Sequence, residues 1–130
     1  MSVSILFTIG VTAQTINAAS VTYSRLQSTK TITSDTIEAK YGEQKFFHKA
    51  TRIISDVDFN KDTYLRVKAQ RKGLFGINST KHTVDFLEPV LNVTASTQYI
   101  ELEKGDYRYQ LYNYGIIEMD GVLTVNITDN

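Results

Sequence analysis

The sequence predicts an all-β domain, an antiparallel β-sandwich of jelly-roll character with at most one short helix. Three observations carry this expectation. Several stretches alternate apolar and polar residues with a period of two, the repeat of a strand that buries one face. Turn signals rich in glycine, asparagine and aspartate fall between those stretches at the spacing of antiparallel strands. The chain has 130 residues and a single proline, enough length for one domain to bury a core without disulfide or metal staples.

Along the chain, the first stretch is MSVSILFTIGVTAQTINAAS, which carries no charged residue. Val3, Ile5, Phe7, Ile9 and Val11 alternate with Ser4, Leu6, Thr8, Gly10 and Thr12, as in a strand with one apolar face. The same stretch resembles a secretory signal peptide. Its apolar run, residues 5–11, is too short for a bilayer span of about 20 residues. Small residues gather at Ala18, Ala19 and Ser20, which suits a cleavage site, although a basic leading segment is missing. The expectation is a leader over residues 1–19, with an ordered N-terminal strand as the alternative, followed by a single sandwich domain over 20–130.

The one candidate helix begins at Asp35, which would cap it with Glu38 three residues on, and ends at Gly42 after Tyr41. Residues 56–62, DVDFNKD, then space Asp56, Asp58, Asn60 and Asp62 at alternate positions. Calcium takes six to eight oxygen ligands, and such a loop supplies several, with a distant carboxylate such as Glu101 to close the shell. The EF-hand pattern fails, because Lys61 stands at its glycine position and Val67 at its bidentate glutamate. A polar turn with Val57 and Phe59 packed inward accounts for the same residues.

Residues 63–71, TYLRVKAQR, set Leu65, Val67 and Ala69 on one strand face and Arg66, Lys68 and Gln70 on the other. A hairpin follows over residues 71–81, RKGLFGINSTK. It carries Leu74, Phe75 and Ile77 near the tip, with Arg71, Lys72 and Lys81 beside them. Basic residues around an apolar tip suit an anionic membrane surface or a partner protein, whereas most such tips fold back on their own sheet. Tyr99, Glu101 and Glu103 next alternate with Ile100 and Leu102 as a further strand.

Residues 105–115, GDYRYQLYNYG, hold four of the eight tyrosines. Strand alternation puts Tyr107, Tyr109 and Leu111 in the core. Arg108, Gln110, Tyr112 and Tyr114 then share the outer face, where Tyr112 and Tyr114 are candidate ligand-binding residues for a glycan or a protein. Asp120-Gly121 reads as a turn, and Leu123, Val125 and Ile127 as the inner face of a last strand.

This C-terminal half resembles the layout of small secreted β-sandwich proteins of Gram-positive bacteria, and of bacterial prepeptidase C-terminal modules. In these a Gly-x-Tyr strand ending near an Asn leads through a short turn to a final strand. The matching residues are Gly105, Tyr107, Leu111, Asn113 and Gly121. The resemblance implies a sandwich, a non-catalytic role and an extracellular setting, and it brings no catalytic residue.

Composition narrows the function classes. Lys+Arg and Asp+Glu both number 14, so no net field draws the chain to nucleic acid. Without cysteine there is no thiolate nucleophile and no Cys-ligated zinc. His48 and His82 sit in unrelated segments, and no nucleophile elbow, phosphate loop or zinc-protease motif occurs. The expected role is a non-catalytic, secreted or envelope binding or structural protein. It needs no cofactor, calcium apart, and its partner would be a surface glycan, a protein or a membrane surface. The alternatives are a virion or assembly subunit made in the cytoplasm, and a secreted toxin or inhibitor that docks through the 71–81 hairpin.

Overall fold

The computed structural model of the chain describes residues 16–39, 42–55 and 62–128. Among these residues ten strands follow one another: β1 (Ile16–Gln27), β2 (Thr31–Thr33), β3 (Ile37–Ala39), β4 (Glu43–Ile54), β5 (Tyr64–Lys72), β6 (Asn78–Leu87), β7 (Thr94–Ser96), β8 (Ile100–Glu101), β9 (Gly105–Tyr114) and β10 (Glu118–Thr128). Among the described residues, helix is limited to one 3-10 turn at Leu74–Gly76. The strands build two antiparallel sheets. Sheet A has the order β1-β10-β4-β7, with β8 also on β4, and sheet B the order β2-β9-β5-β6, with β3 also on β9.

The period of two explains how the sheets stack. Alternate residues of each long strand face the same way, so Leu65, Val67 and Ala69 of β5 and Tyr107, Tyr109 and Leu111 of β9 are buried from sheet B. Phe46 of β4 with Leu123, Val125 and Ile127 of β10 is buried from sheet A. The Phe46 and Tyr109 rings meet edge to face across the interior at 5.8 Å and 73°. The Tyr109 hydroxyl donates to Gln44 Oε1 at 2.7 Å. Burial raises the pKa of that hydroxyl, so it stays protonated and serves as the donor. Tyr107 sends its hydroxyl to the Glu103 carbonyl at 2.6 Å.

Two further polar groups sit inside. His48 stacks on Tyr23 with ring centroids 5.9 Å apart, and the Tyr23 hydroxyl is 2.7 Å from His48 Nε2. Burial lowers the His48 pKa to about 4, so the ring is neutral near pH 7. Asn113 donates to the carbonyls of Leu26 and Ile116 at 2.9 and 2.8 Å, and its oxygen accepts from the Ile116 amide at 3.3 Å. One fully buried side chain thus ties the end of β1 to the link between β9 and β10.

Three sequence expectations are corrected. The helix expected from Asp35 is absent, because Ile37–Ala39 pairs as β3 with Tyr107, Asp106 and Gly105. An isolated helical turn nucleates poorly, whereas this segment gains a ladder on β9 and buries Ala39 completely. Asp120-Gly121 is no turn but lies within β10, where the pairing to β4 shifts register. A Cβ on Gly121 would stand 2.6 Å from Tyr23 Oη and 2.8 Å from the Lys49 carbonyl, so close strand approach requires the glycine. The strand expected over residues 99–103 shortens to Ile100–Glu101.

Candidate functional site

The outer face of sheet B gathers polar and aromatic side chains in cross-strand rows. Register places Tyr64 opposite Tyr114, Arg66 opposite Tyr112, Lys68 opposite Gln110 and Gln70 opposite Arg108. On the other side of β5, Arg66 faces Asp85 of β6, and Thr31 of β2 faces Tyr112. Non-neighbouring segments therefore converge because strand pairing, not sequence distance, sets the rows.

Tyr64 and Tyr114 stack with ring centroids 4.9 Å apart and planes within 13°. The Arg66 guanidinium carbon lies 5.0 Å from the Tyr64 ring centroid, within cation–π range. Arg66 is fixed by a two-pronged contact to Asp85, at 2.8 Å from Nε and 3.0 Å from the second nitrogen. Those hydrogen bonds, with the Asp85 charge, hold the Arg66 pKa above its usual value. Beside them, Arg108 Nε donates to Gln70 at 2.9 Å. A hollow of about 300 Å³ opens among Tyr64, Arg66, Lys68, Gln110, Tyr112 and Tyr114. An aromatic ring beside cations, amides and hydroxyls can stack on the apolar face of a sugar and bond its hydroxyls.

Tyr112 and Tyr114 thus stand on the outer face, as the alternation predicts, with Tyr112 half-buried and Tyr114 exposed. Sequence reasoning missed Tyr64. It shares a face with Arg66, but its pairing to Tyr114 depends on strand order, which a single sequence does not reveal.

The 71–81 hairpin forms between β5 and β6, and its tip does not fold back. Leu74 is 83%, Phe75 98% and Ile77 68% exposed. Two backbone hydrogen bonds close it, Gly73 N to the Ile77 carbonyl at 2.7 Å and Ile77 N to the Leu74 carbonyl at 3.3 Å. Arg71 turns aside to donate to the Lys104 carbonyl at 2.8 Å, Lys81 pairs with Glu103 at 3.1 Å, and Lys72 is exposed.

Of the calcium candidates, Asp56, Asp58 and Asn60 lie outside the described residues, and Asp62 is in an exposed turn. Glu101, the carboxylate expected to close the shell, pairs with Glu43 between β8 and β4. Among the described residues, no group of three or more His, Asp or Glu is placed to hold a metal ion. The expected leader divides: residues 1–15 are outside the described residues, and residues 16–20 belong to β1, paired with 124–128 of β10. Next to this part of β1 a hollow of about 500 Å³ opens among residues 18–22, residues 33–35, Ile37 and Tyr109.

No family model and no curated protein matches the chain. Among solved structures, a protein of Sulfurospirillum deleyianum is similar over 88% of this chain and 99% of its own, with 8% identity and a TM-score of 0.58. A chain from Bacillus endospore appendages, described as disulfide-linked pili, aligns over 95% of this chain and 100% of its own at 10% identity, with a TM-score of 0.47. The first of these likenesses shows a shared fold, the all-β sandwich, and no more than that.

Proposed function

We propose that the chain is a non-catalytic β-sandwich module of the cell surface or exterior that binds glycan on the outer face of sheet B. The observation that carries this reading is the stacked Tyr64–Tyr114 pair, with Tyr112, Arg66, Lys68 and Gln110 around one hollow. Aromatic rings suit sugar faces, and pairing across β5 and β9 positions them before any ligand arrives. Affinity electrophoresis in gels containing purified bacterial wall polysaccharide tests it. Retardation of the native chain, weakened about tenfold in Tyr114→Ala and in Tyr64→Ala, supports the reading. Equal retardation of native chain and variants, or none of any, removes it.

A second reading, an assembly subunit that keeps its first residues, is favoured by the pairing of residues 16–20 within β1. Among the described residues β1 is an edge of sheet A, beside the 500 Å³ hollow, and open edges accept further strands. Intact mass and subcellular distribution of the native protein separate the two readings. Loss of about the first nineteen residues from an external protein supports export. A full-length chain recovered in particles supports assembly.

A further inference from the structure

We propose that the chain self-associates head to tail, the Leu74–Phe75 knob of one molecule seating in an apolar hollow on the next. The hollow lies where β6 leaves sheet B for β7. It has about 180 Å³, and its lining is mostly apolar, with Phe86, Leu87, Pro89, Val90 and Val93 joined by the polar His48 and Glu88. Leu87, Val90 and Val93 are 68%, 58% and 54% exposed. Exposed apolar side chains gathered around one hollow suit contact with an apolar group of another molecule.

Both surfaces are held open by their backbones. The knob is a closed turn in which Phe75 takes a left-handed conformation, φ 59°. The hollow is framed by two more left-handed residues, Glu88 at φ 47° and Asn92 at φ 59°. Glu88 N donates to the Thr63 carbonyl at 2.9 Å and Asn92 N to the Ala50 carbonyl at 2.7 Å, anchoring this link to both sheets. Leu74, Phe75, Leu87, Val90 and Val93 all stand exposed on their own molecule.

Geometry and charge make each the partner of the other. Knob and hollow stand at opposite ends of β6, ten residues long and so roughly 30 Å, and a molecule cannot fill its own hollow. Lys72 flanks the knob and Glu88 the hollow, and among the described residues neither belongs to an ion pair. The contact therefore joins opposite charges around an apolar centre. An anionic membrane fits the knob less well: Arg71 and Lys81 are occupied by Lys104 and Glu103, which leaves Lys72 to meet it. Because the two patches differ, the contact is heterologous and continues from molecule to molecule.

The test is sedimentation velocity of the full chain from micromolar to near-millimolar concentration, with Phe75→Asp and Val93→Asp beside it. The mass of the native chain is expected to climb past a dimer, and each variant to remain a monomer. A mixture of the two variants restores one knob with one hollow and stops at a one-to-one dimer. Melting curves check the fold, and Val90→Asp replaces Val93→Asp if that variant melts early. A native chain that stays monomeric, variants that associate like the native chain, or a mixture that stays monomeric each overturn the proposal. So does a Phe75-dependent pelleting with phosphatidylserine vesicles in the absence of self-association, which would assign the knob to lipid.

Discussion

His48 is a histidine that the fold keeps neutral. Its pKa falls from 6.5 to about 4 through burial, while the unfolded chain protonates it near 6.5. Between those values the unfolded state binds a proton that the native state does not, so stability falls as pH drops from 6.5 towards 4. The loss approaches about 3 kcal/mol at the acid end. Urea unfolding across this range should show the decline, and His48→Gln, which keeps a polar partner for Tyr23 but cannot titrate, should flatten it. An equal decline in both proteins would place its origin in the carboxylates instead. Asn113 carries a different burden, three side-chain hydrogen bonds at a fully buried position. Asn113→Ala leaves two carbonyls and an amide without that partner, and should cost about 3 kcal/mol in urea unfolding. A loss below about 1 kcal/mol would mean that the β9–β10 link is held by its backbone alone.

At the scale of elements, a strand was legible where its buried face is apolar throughout. Leu65, Val67 and Ala69 marked β5, and Leu123, Val125 and Ile127 marked β10. β4 hid itself, because its inner face reads Gln44, Phe46, His48 and Ala50 while Phe47 points outward. Half of that face is polar, and its hydrogen-bond partners, Tyr109 and Tyr23, come from distant strands. The short helix failed because capping residues reward only a helix long enough to exist. Of the aromatic platform, the sequence revealed Tyr112 and Tyr114; Tyr64 needed the register. The placement of β1 leads to a prediction. Removing residues 1–20 deletes five β1 positions paired with 124–128 and leaves the strand from Val21 onward. Lost ladder bonds are partly offset by the regained freedom of an edge segment. The net loss should be about 1–2 kcal/mol, read as a melting temperature lower by ~5–10 °C. An unchanged melting temperature would mean that this end of β1 adds nothing to the cooperative fold.

The whole molecule closes on itself late. β1 and β4, near the chain's start, both pair with β10 at its end, and β10 lies between them in sheet A. Among the long strands only β5 and β6 form a local hairpin; β9 and β10 are neighbours in sequence yet belong to opposite sheets. Each of the other long pairings closes a loop before any contact rewards it, and this slows the search for the native topology. Refolding should therefore take from tens of milliseconds to seconds, followed by the fluorescence of the eight tyrosines, with no tryptophan to mask them. Nor should a shorter chain fold in part. Deleting residues 118–130 leaves β1 and β4 without their shared partner and opens the core over Phe46 and Tyr109. Such a fragment should show no cooperative melt, although its β5–β6 hairpin remains intact in sequence. A cooperative transition in the fragment would show that sheet B, with Tyr64, Arg66, Tyr112 and Tyr114 on its outer face, stands without sheet A. The aromatic platform would then be a property of one sheet, and not of the whole sandwich.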